Sequence, residues 1–260
     1  MNWDPLADFI QAEDPAFVAL LQGVPAKDLA RVERECAIRL PRSYRGFALM
    51  MGTDSDGCYL FGPHRNQKFD DLVAQLPPRT YPGQHYFKIG SAQDPSEISP
   101  ADYFLDLTRS DGVDAPLVMF EDAADLGPEG FRREYVRDMY VTFGEQATIS
   151  IFTFLVLDRA PEHARVVIGA LSPAERQAAN AAATERLRRM NFDPVLPSNA
   201  RVSSFRRGQL GALVTVREEL RCVTIHLSGD KGPSLRVVVD QLRDHFPDAA
   251  MRGPGGPLGS

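Results

Sequence analysis

The residues most suited to binding or chemistry are the carboxylates, which are concentrated in one stretch of the chain. Ten Asp and Glu side chains lie between residues 94 and 129, against a single base, Arg109. Like charges at this density repel one another and lower stability unless they meet opposite charge. These charges could simply form a solvated surface, which is common. Alternatively, they could bind a basic partner. We therefore interpret this stretch as a surface that attracts a basic macromolecule.

Strand alternation selects the side chains that would meet such a partner. In a strand at Tyr103–Thr108, Leu105 and the residues two positions away face inward, which turns Asp102 and Asp106 toward solvent. The acids after the next strand, Pro116–Phe120, are expected in a loop. Nearby aromatic side chains would supply anchors, because a few residues dominate interface energy. The predicted partner-binding residues are Asp102, Asp106, Asp111, Asp114, Glu121, Asp122, Asp125, Tyr59 and Tyr103, with Phe131 as a further anchor.

Catalytic and metal-binding motifs do not emerge from the sequence. Asp54–Gly57 resembles part of a calcium loop, but the alignment puts Gly52 and Pro63 at ligand positions, so a polar turn is the better interpretation. Cys58 and His64 lack the third group that would orient a thiol nucleophile. The five histidines show no metal-ligand spacing. We therefore expect no catalytic residue, no cofactor and no metal.

Length and charge indicate two modules with different surfaces. The chain has 260 residues, enough for one large domain or two small ones. Residues 1–160 contain 15 Lys and Arg against 25 Asp and Glu, whereas residues 161–260 contain 14 against 10. Six arginines between 186 and 207 could meet nucleic acid, but only two aromatic rings accompany them. We favour a solvated or protein-facing surface there, without direct nucleic-acid binding.

The cellular location is predicted from what the sequence lacks. No apolar run approaches the ~18 residues of a membrane span. The N-terminus, Met1-Asn2-Trp3-Asp4, has neither the basic nor the apolar region of a signal peptide. Three cysteines lie far apart, which favours reduced thiols over a disulfide framework. We expect a cytoplasmic protein that does not bind membranes.

The elements that position these residues are organised around the dipeptide Leu40-Pro41. Pro41 disfavours the helical region for Leu40, so one helix must end there. The same proline suits the first turn of a second helix, where its missing N–H is not needed. Gly52 is typical of a helix end. One apolar face of the second helix is formed by Tyr44, Phe47, Ala48 and Met51.

This pattern resembles the signature of the SUKH superfamily. Shared features are a helix, Leu-Pro, a Tyr three residues after the Pro, an aromatic three further on, and a Gly that opens the sheet. The motif spans 38–52 and the resemblance covers about residues 25–158. It implies an α+β fold, with helices packed on a mostly antiparallel sheet and a closing helix at 148–157. Many members of the family are bacterial immunity proteins that bind and neutralise a secreted toxin.

The remaining pattern predicts the strands of the first module and a second, smaller α+β module. Strands are expected at 58–61 and 86–90, besides the two in the acidic stretch. Residues 159–171, with one apolar patch, are expected to connect the modules. A Ser172-Pro173-Ala174-Glu175 capping box then begins a helix to about Met190. Three strands follow, and a final helix begins near Gly232. The predicted domains are residues 1–160 and 161–252, with a disordered or appended tail at 253–260.

Two functions are consistent with these features. The first is an immunity protein that binds a cognate toxin with a basic surface, such as a nuclease, and therefore needs no catalytic residue. The second is a regulatory or scaffolding SUKH-like protein with a partner in its own cell. A third hypothesis is an enzyme with an unrecognised site. A pocket with convergent polar groups would favour it.

Overall fold

The structure, a computed structural model, describes residues 3–74, 85–92, 101–121 and 136–252. Helices accompany two antiparallel sheets of five and six strands, so the predicted α+β class is confirmed. The chain divides into two compact units, Met1–Ser150 and Ile151–Ser260. None of the described helices is long and apolar enough to cross a membrane.

The first unit both begins and ends with helices. They are α1 (Asp4–Glu13), α2 (Pro15–Val18), α3 (Ala26–Glu35), α4 (Arg42–Met51), α5 (Phe69–Ala74) and α6 (Phe143–Phe152). The division between the units falls within α6, and the π-helical turn Thr153–Leu157 that continues it directly belongs to the second unit. The predicted closing helix is therefore confirmed, although it begins earlier, at Phe143.

The start of α4 follows the sequence prediction, but the predicted end of the first helix at Leu40 is wrong. Helix α3 ends five residues earlier, at Glu35, and Ala37, with φ 52°, turns the chain out of the helix. Pro41 has an extended backbone, with φ −59° and ψ 148°, and α4 begins at the next residue. All four residues of the predicted apolar face of α4 are buried, and Gly52 caps its C-terminus. Gly46 lets the ring of Trp3 lie against the helix, because a Cβ there would come within 2.3 Å of the ring. The junction is thus a packing element.

The strands of the first sheet lie between α4 and α6 in the sequence, and they all pair antiparallel. Its strands are β1 (Arg65–Asn66), β2 (Tyr86–Ala92), β3 (Ala101–Asp106), β4 (Pro116–Glu121) and β5 (Val136–Thr142), in that spatial order. Phe104 packs with Val118 and Phe120 on one face, while Leu105 is fully buried on the other. Both faces of β3 are therefore covered, so simple alternation does not divide its residues into inner and outer sets.

The predicted strand at 58–61 is wrong. This segment is irregular, and side chains take the place of a strand partner. The backbone N–H of Leu60 donates to Oε1 of Gln67 at 2.8 Å. Its carbonyl accepts from the Gln146 amide at 2.7 Å and from the Ser150 hydroxyl at 3.0 Å. A short apolar run satisfied by side chains resembles a strand in sequence, which explains the error.

The second unit packs helices against a six-stranded sheet. Its elements are β6 (Glu162–Ile168), α7 (Pro173–Arg189), β7 (Asp193–Pro194), β8 (Val202–Arg207), β9 (Leu210–Arg217), β10 (Cys222–Gly229), α8 (Pro233–His245) and β11 (Ala250–Arg252). The spatial order is β11-β6-β10-β9-β8-β7. The predicted capping box is present, with Ser172 N–H donating to Glu175 Oε2 at 2.7 Å. Ala183 and Leu187 of α7 and Leu235 of α8 belong to one core with the sheet.

The residues predicted to connect the modules are instead part of the second unit. Within 159–171, β6 pairs along its full length with β10 and also with β11. The division between the units falls at Ser150 and Ile151, ten residues before the predicted boundary at 160. The expected tail, 253–260, lies outside the described residues.

Candidate functional site

Asp114, a predicted partner-binding residue, is a buried structural carboxylate. Its side chain accepts hydrogen bonds from Ser43 Oγ at 2.8 Å, Thr142 Oγ1 at 2.7 Å, and the backbone N–H groups of Ala115 and Gly144, both at 3.0 Å. Only 6% of the residue is exposed. A carboxylate with this many donors joins α4, β4, β5 and α6, and it cannot meet a partner.

Asp106 was predicted to face solvent, and this prediction is wrong. The residue is 4% exposed and accepts from Thr108 N–H at 3.0 Å and from Arg109 Nε at 2.7 Å. Burial raises the pKa of Asp106, but the hydrogen bonds from Thr108 and Arg109 outweigh it and hold the pKa below its ordinary value. Arg109, the only base of the acidic stretch, also pairs with Asp138 at 2.7 Å. The acid therefore caps a turn and binds its own counter-ion.

Of the other acids in this stretch, Asp102 forms an ion pair and Asp111 is exposed. Asp102 forms an ion pair with Lys88 at 2.6 Å, and only 14% of its side chain is exposed, so it does not point freely to solvent. Asp111 is exposed, and the backbone N–H groups of Asp114 and Val113 hold its pKa below the ordinary value. Its carboxylate closes a tight turn by accepting from both groups.

The last predicted acids fall largely outside the described part of the chain. Glu121 is the final residue of β4, and nothing is described of its side chain. Asp122 and Asp125 lie in the stretch 122–135, outside the described residues, as does Phe131. Of the predicted carboxylates that are described, only Asp111 is exposed.

The predicted anchor Tyr59 lies at the edge of a cleft in the first unit. The side chain is 42% exposed, which is unusual for a large aromatic residue in the described chain. The cleft has a volume of about 340 Å³ and is lined by residues 51–55, 57, 59 and 65–68. We call this the Tyr59 cleft.

Gln67 holds the wall of the Tyr59 cleft in place. Its amide is 6% exposed; the nitrogen donates to Ser55 Oγ and to the carbonyl of Cys58, both at 2.9 Å, while the oxygen accepts from Leu60 N–H. One side chain thus ties three points of the loop that carries Tyr59. Because the loop is fixed, an exposed Tyr59 can bind without a large loss of conformational freedom.

The second predicted anchor, Tyr103, lies beneath other side chains. Its ring stacks on Phe61 with centroids 4.3 Å apart and an interplanar angle of 10°. The guanidinium of Arg65, which lines the Tyr59 cleft, lies 5.7 Å from the Tyr103 ring centroid. Tyr103 therefore contacts the cleft through Arg65, and it is half-buried, so it is not itself an exposed anchor.

The loops around the Tyr59 cleft are acidic. Residues 52–71 contain four aspartates against one arginine and one lysine. Asp56, Asp70 and Asp71 are exposed, and Asp54 is half-buried. Asp54 accepts from Asp56 N–H at 3.0 Å, and Asp71 accepts from the Asn66 amide at 3.0 Å. The charged residues that line the cleft itself are Asp54, Arg65 and Lys68, so the exposed carboxylates lie in the segments that flank it.

Neither thiol nor metal chemistry is favoured in this region. Cys58 is fully buried, and burial raises the pKa of its thiol to about 12, so it stays protonated and is a poor nucleophile. His64 is exposed in the following turn. Among the described residues there is no group of three or more His, Cys, Asp or Glu that could hold a metal ion.

The basic group of the second unit is partly used within that unit. Arg207 donates to the carbonyl of Met190 at 2.7 Å and stacks over Phe192, 4.8 Å from its centroid. Arg189 pairs with Glu185 at 2.9 Å. Arginines that bind their own unit in this way do not form one continuous surface for phosphates.

Comparisons with known proteins assign this chain to no family. No family model matches it, and searches of curated proteins and of solved structures found no match. The candidate site therefore has to be judged on its geometry alone.

Proposed function

We propose that this protein is a SUKH-like immunity protein that binds and neutralises a secreted toxin with a basic surface, such as a nuclease. The observation that carries the proposal is Tyr59, which is 42% exposed at a cleft whose flanking segments carry the exposed carboxylates Asp56, Asp70 and Asp71. The protein acts by occupying the toxin's surface in the cytoplasm, and it contributes no catalytic step.

The form of the site suits protein binding. Interfaces gain most of their affinity from a few aromatic or arginine anchors, while surrounding charges set the rate and specificity of association. Tyr59 is such an anchor, and Gln67 keeps its loop ordered before binding. Asp56, Asp70 and Asp71 supply the surrounding negative charge.

The binding surface in this proposal differs from the acidic stretch that the sequence favours. Asp106 and Asp114 are committed to internal hydrogen bonds, and Asp102 to an ion pair. In this proposal, the exposed acids within residues 52–71 attract the basic toxin instead. A nuclease has a basic substrate site, so an acidic surface both draws it in and competes with its polyanionic substrate.

The packing around Leu40-Pro41 supports the SUKH-like part of the proposal. Tyr44 and Phe47, the two aromatic positions of the motif, are both 2% exposed. Gly52 ends α4 and leads directly into the loop that forms the Tyr59 cleft. The motif thus connects to the proposed binding site through the chain itself.

The proposal is tested with the purified products of the genes adjacent to that of this protein. We expect one of them to be a toxin that this protein binds and inhibits. Replacing Tyr59→Ala should weaken binding by about tenfold or more, as loss of an aromatic anchor does. Calorimetry measures the affinity, and the toxin's own activity measures protection.

Tyr140→Ala is the matched control, because Tyr140 is also an exposed tyrosine of the first unit, at 48%. It lies on β5, which forms the edge of the sheet away from β1. Equal losses for the two variants would contradict a site at Tyr59. If no adjacent gene product bound, but a protein of the same cell did, the immunity role would be wrong and the regulatory role would replace it.

A further inference from the structure

A second surface of the first unit is lined mainly by arginines. An open groove of about 810 Å³ lies where α3 ends and α4 begins. Four of its lining side chains are arginines, from the two helices and the segment between them. The charged lining residues are Arg34, Arg39, Arg42, Arg45 and Glu33. We call this the arginine groove.

The single carboxylate of the arginine groove is already occupied. One oxygen of Glu33 accepts from the backbone N–H of Leu40 at 2.9 Å, and the other binds the guanidinium of Arg45. This pair also fixes the chain as it turns between the two helices. The charge of Arg45 is thereby neutralised, and Arg45 is the arginine of the groove that pairs with Glu33 in the described part of the chain.

The remaining three guanidiniums lack carboxylate partners among the residues that the structure describes. Arg34, Arg39 and Arg42 are exposed, and none forms an ion pair with another residue in the described ranges. Three like charges around one groove repel each other across distances at which water screens them only in part. An anion in the groove would relieve this repulsion.

Local helix preferences do not account for all of these arginines. Arg34 lies in the last turn of α3, where a cation is favourable. Arg42 and Arg45 occupy the first turn of α4, which contains no acid, although the positive end of the helix dipole favours acids there. A pattern that opposes a local preference is expected where function requires it.

The shape and lining of the groove select the kind of anion. Guanidinium groups bind carboxylates through two parallel hydrogen bonds. Ala30 and Ile38 add apolar surface beside the charges, whereas no aromatic ring is among the lining residues. Recognition of single-stranded nucleic acid relies on stacking against aromatic rings, so the lining favours carboxylates with small apolar neighbours.

We propose that the arginine groove binds an acidic segment of a protein partner, with its carboxylates on Arg34, Arg39 and Arg42. The groove shares no lining residue with the Tyr59 cleft. The proposal is therefore independent of the immunity function and predicts a second contact, with a partner region of opposite charge.

The test uses the full chain and a short fluorescein-labelled peptide composed of Glu, Asp, Ala and Leu. Fluorescence anisotropy measures its binding to the wild type and to the variant Arg34→Gln/Arg39→Gln/Arg42→Gln. We expect the triple variant to bind at least about tenfold more weakly, because each lost charge-assisted hydrogen bond weakens binding severalfold. Circular dichroism verifies that the variant, altered only at exposed positions, remains folded.

A matched control removes the same charge elsewhere, with Arg188→Gln/Lys231→Gln/Arg236→Gln at exposed positions of the second unit. The control should retain peptide binding within about twofold of the wild type, since none of these residues lines the groove. A peptide with Gln and Asn in place of Glu and Asp should not bind. Equal losses in the two triple variants would overturn the proposal, because only net charge would then matter.

Competition distinguishes the sources of negative charge. Sodium phosphate, at matched ionic strength, should not displace the peptide, because the peptide presents several linked carboxylates and phosphate presents a single small anion. Displacement by phosphate would overturn the proposal in favour of a small-anion site. Tighter binding of single-stranded RNA than of the peptide would overturn it in favour of a nucleic-acid site.

Discussion

Phe47→Ala is expected to lower the free energy of unfolding by roughly 3–5 kcal/mol, the range for truncating a buried aromatic side chain. Phe47 is 2% exposed, and its ring lies 5.5 Å from Phe143, 5.8 Å from Trp3 and 6.1 Å from Tyr44, between centroids. Removing the ring leaves a cavity among these neighbours and breaks its edge-to-face contacts with Trp3 and Phe143. Urea denaturation followed by circular dichroism measures the loss.

Leu49→Ala is the control, because Leu49 lies on the same helix but is 44% exposed. Its truncation should cost no more than about 1 kcal/mol, as most exposed substitutions do. Equal stability losses for the two variants would contradict the packing of α4 in the core. The role of the Leu40-Pro41 motif as the organising element of the first unit would then be lost as well.

Asp114→Ala is expected to be almost as destabilising, at about 3 kcal/mol or more. The substitution leaves the hydroxyls of Ser43 and Thr142 and the N–H groups of Ala115 and Gly144 without their acceptor. Each buried donor without a partner costs about 1–3 kcal/mol, reduced where water can enter the space left by the carboxylate. Thermal unfolding monitored by circular dichroism measures the effect.

Asp111→Ala provides the comparison for Asp114. Asp111 is exposed and accepts from two backbone N–H groups of one turn. Because water can replace an exposed acceptor, we expect a loss of no more than about 1 kcal/mol. If the Asp114 variant were as stable as the Asp111 variant, the carboxylate network would not be structural, and Asp114 would return to the set of possible binding residues.

Local sequence rules were sufficient where the partners are near in the chain. Pro41 begins α4 through its own ring geometry, and the capping box at Ser172 needs only Glu175. The apolar face of α4 follows from helical spacing. Each of these features depends on residues within a few turns of each other, so the sequence pattern predicts them directly.

The acidic residues could not be assigned in the same way. Asp114 is bound by Ser43, which lies 71 residues earlier in the chain, and by Thr142, 28 residues later. Nothing in the sequence around Asp114 distinguishes it from Asp111, which is exposed. Charge density predicts an acidic surface, but the burial of each carboxylate is decided by donors that only the fold brings close.

The Tyr59 cleft was missed for a related reason. Tyr59 was predicted as an anchor from its type and position near the acids, and it is exposed. The loop, however, was predicted as a strand, because the Gln67 amide that replaces the strand partner has no sequence signature. Similarly, β6 was predicted within a connector because its partner β10 begins more than fifty residues later.

The most direct test of the proposed function is the rate at which this protein associates with its toxin, measured by stopped-flow fluorescence at low and high salt. The variant Asp56→Asn/Asp70→Asn/Asp71→Asn removes the exposed charges beside the Tyr59 cleft and keeps the side-chain shapes. Its control, Asp193→Asn/Asp244→Asn/Asp248→Asn, makes the same charge change at exposed positions of the second unit.

We predict that the cleft variant associates about three- to tenfold more slowly than the wild type at low salt, because the lost charges steer the encounter. The difference should shrink above about 0.1 M salt, where screening acts within about 10 Å. The control variant should associate at nearly the wild-type rate. Equal rates for the cleft variant and the wild type at low salt would contradict an acidic binding site at the Tyr59 cleft.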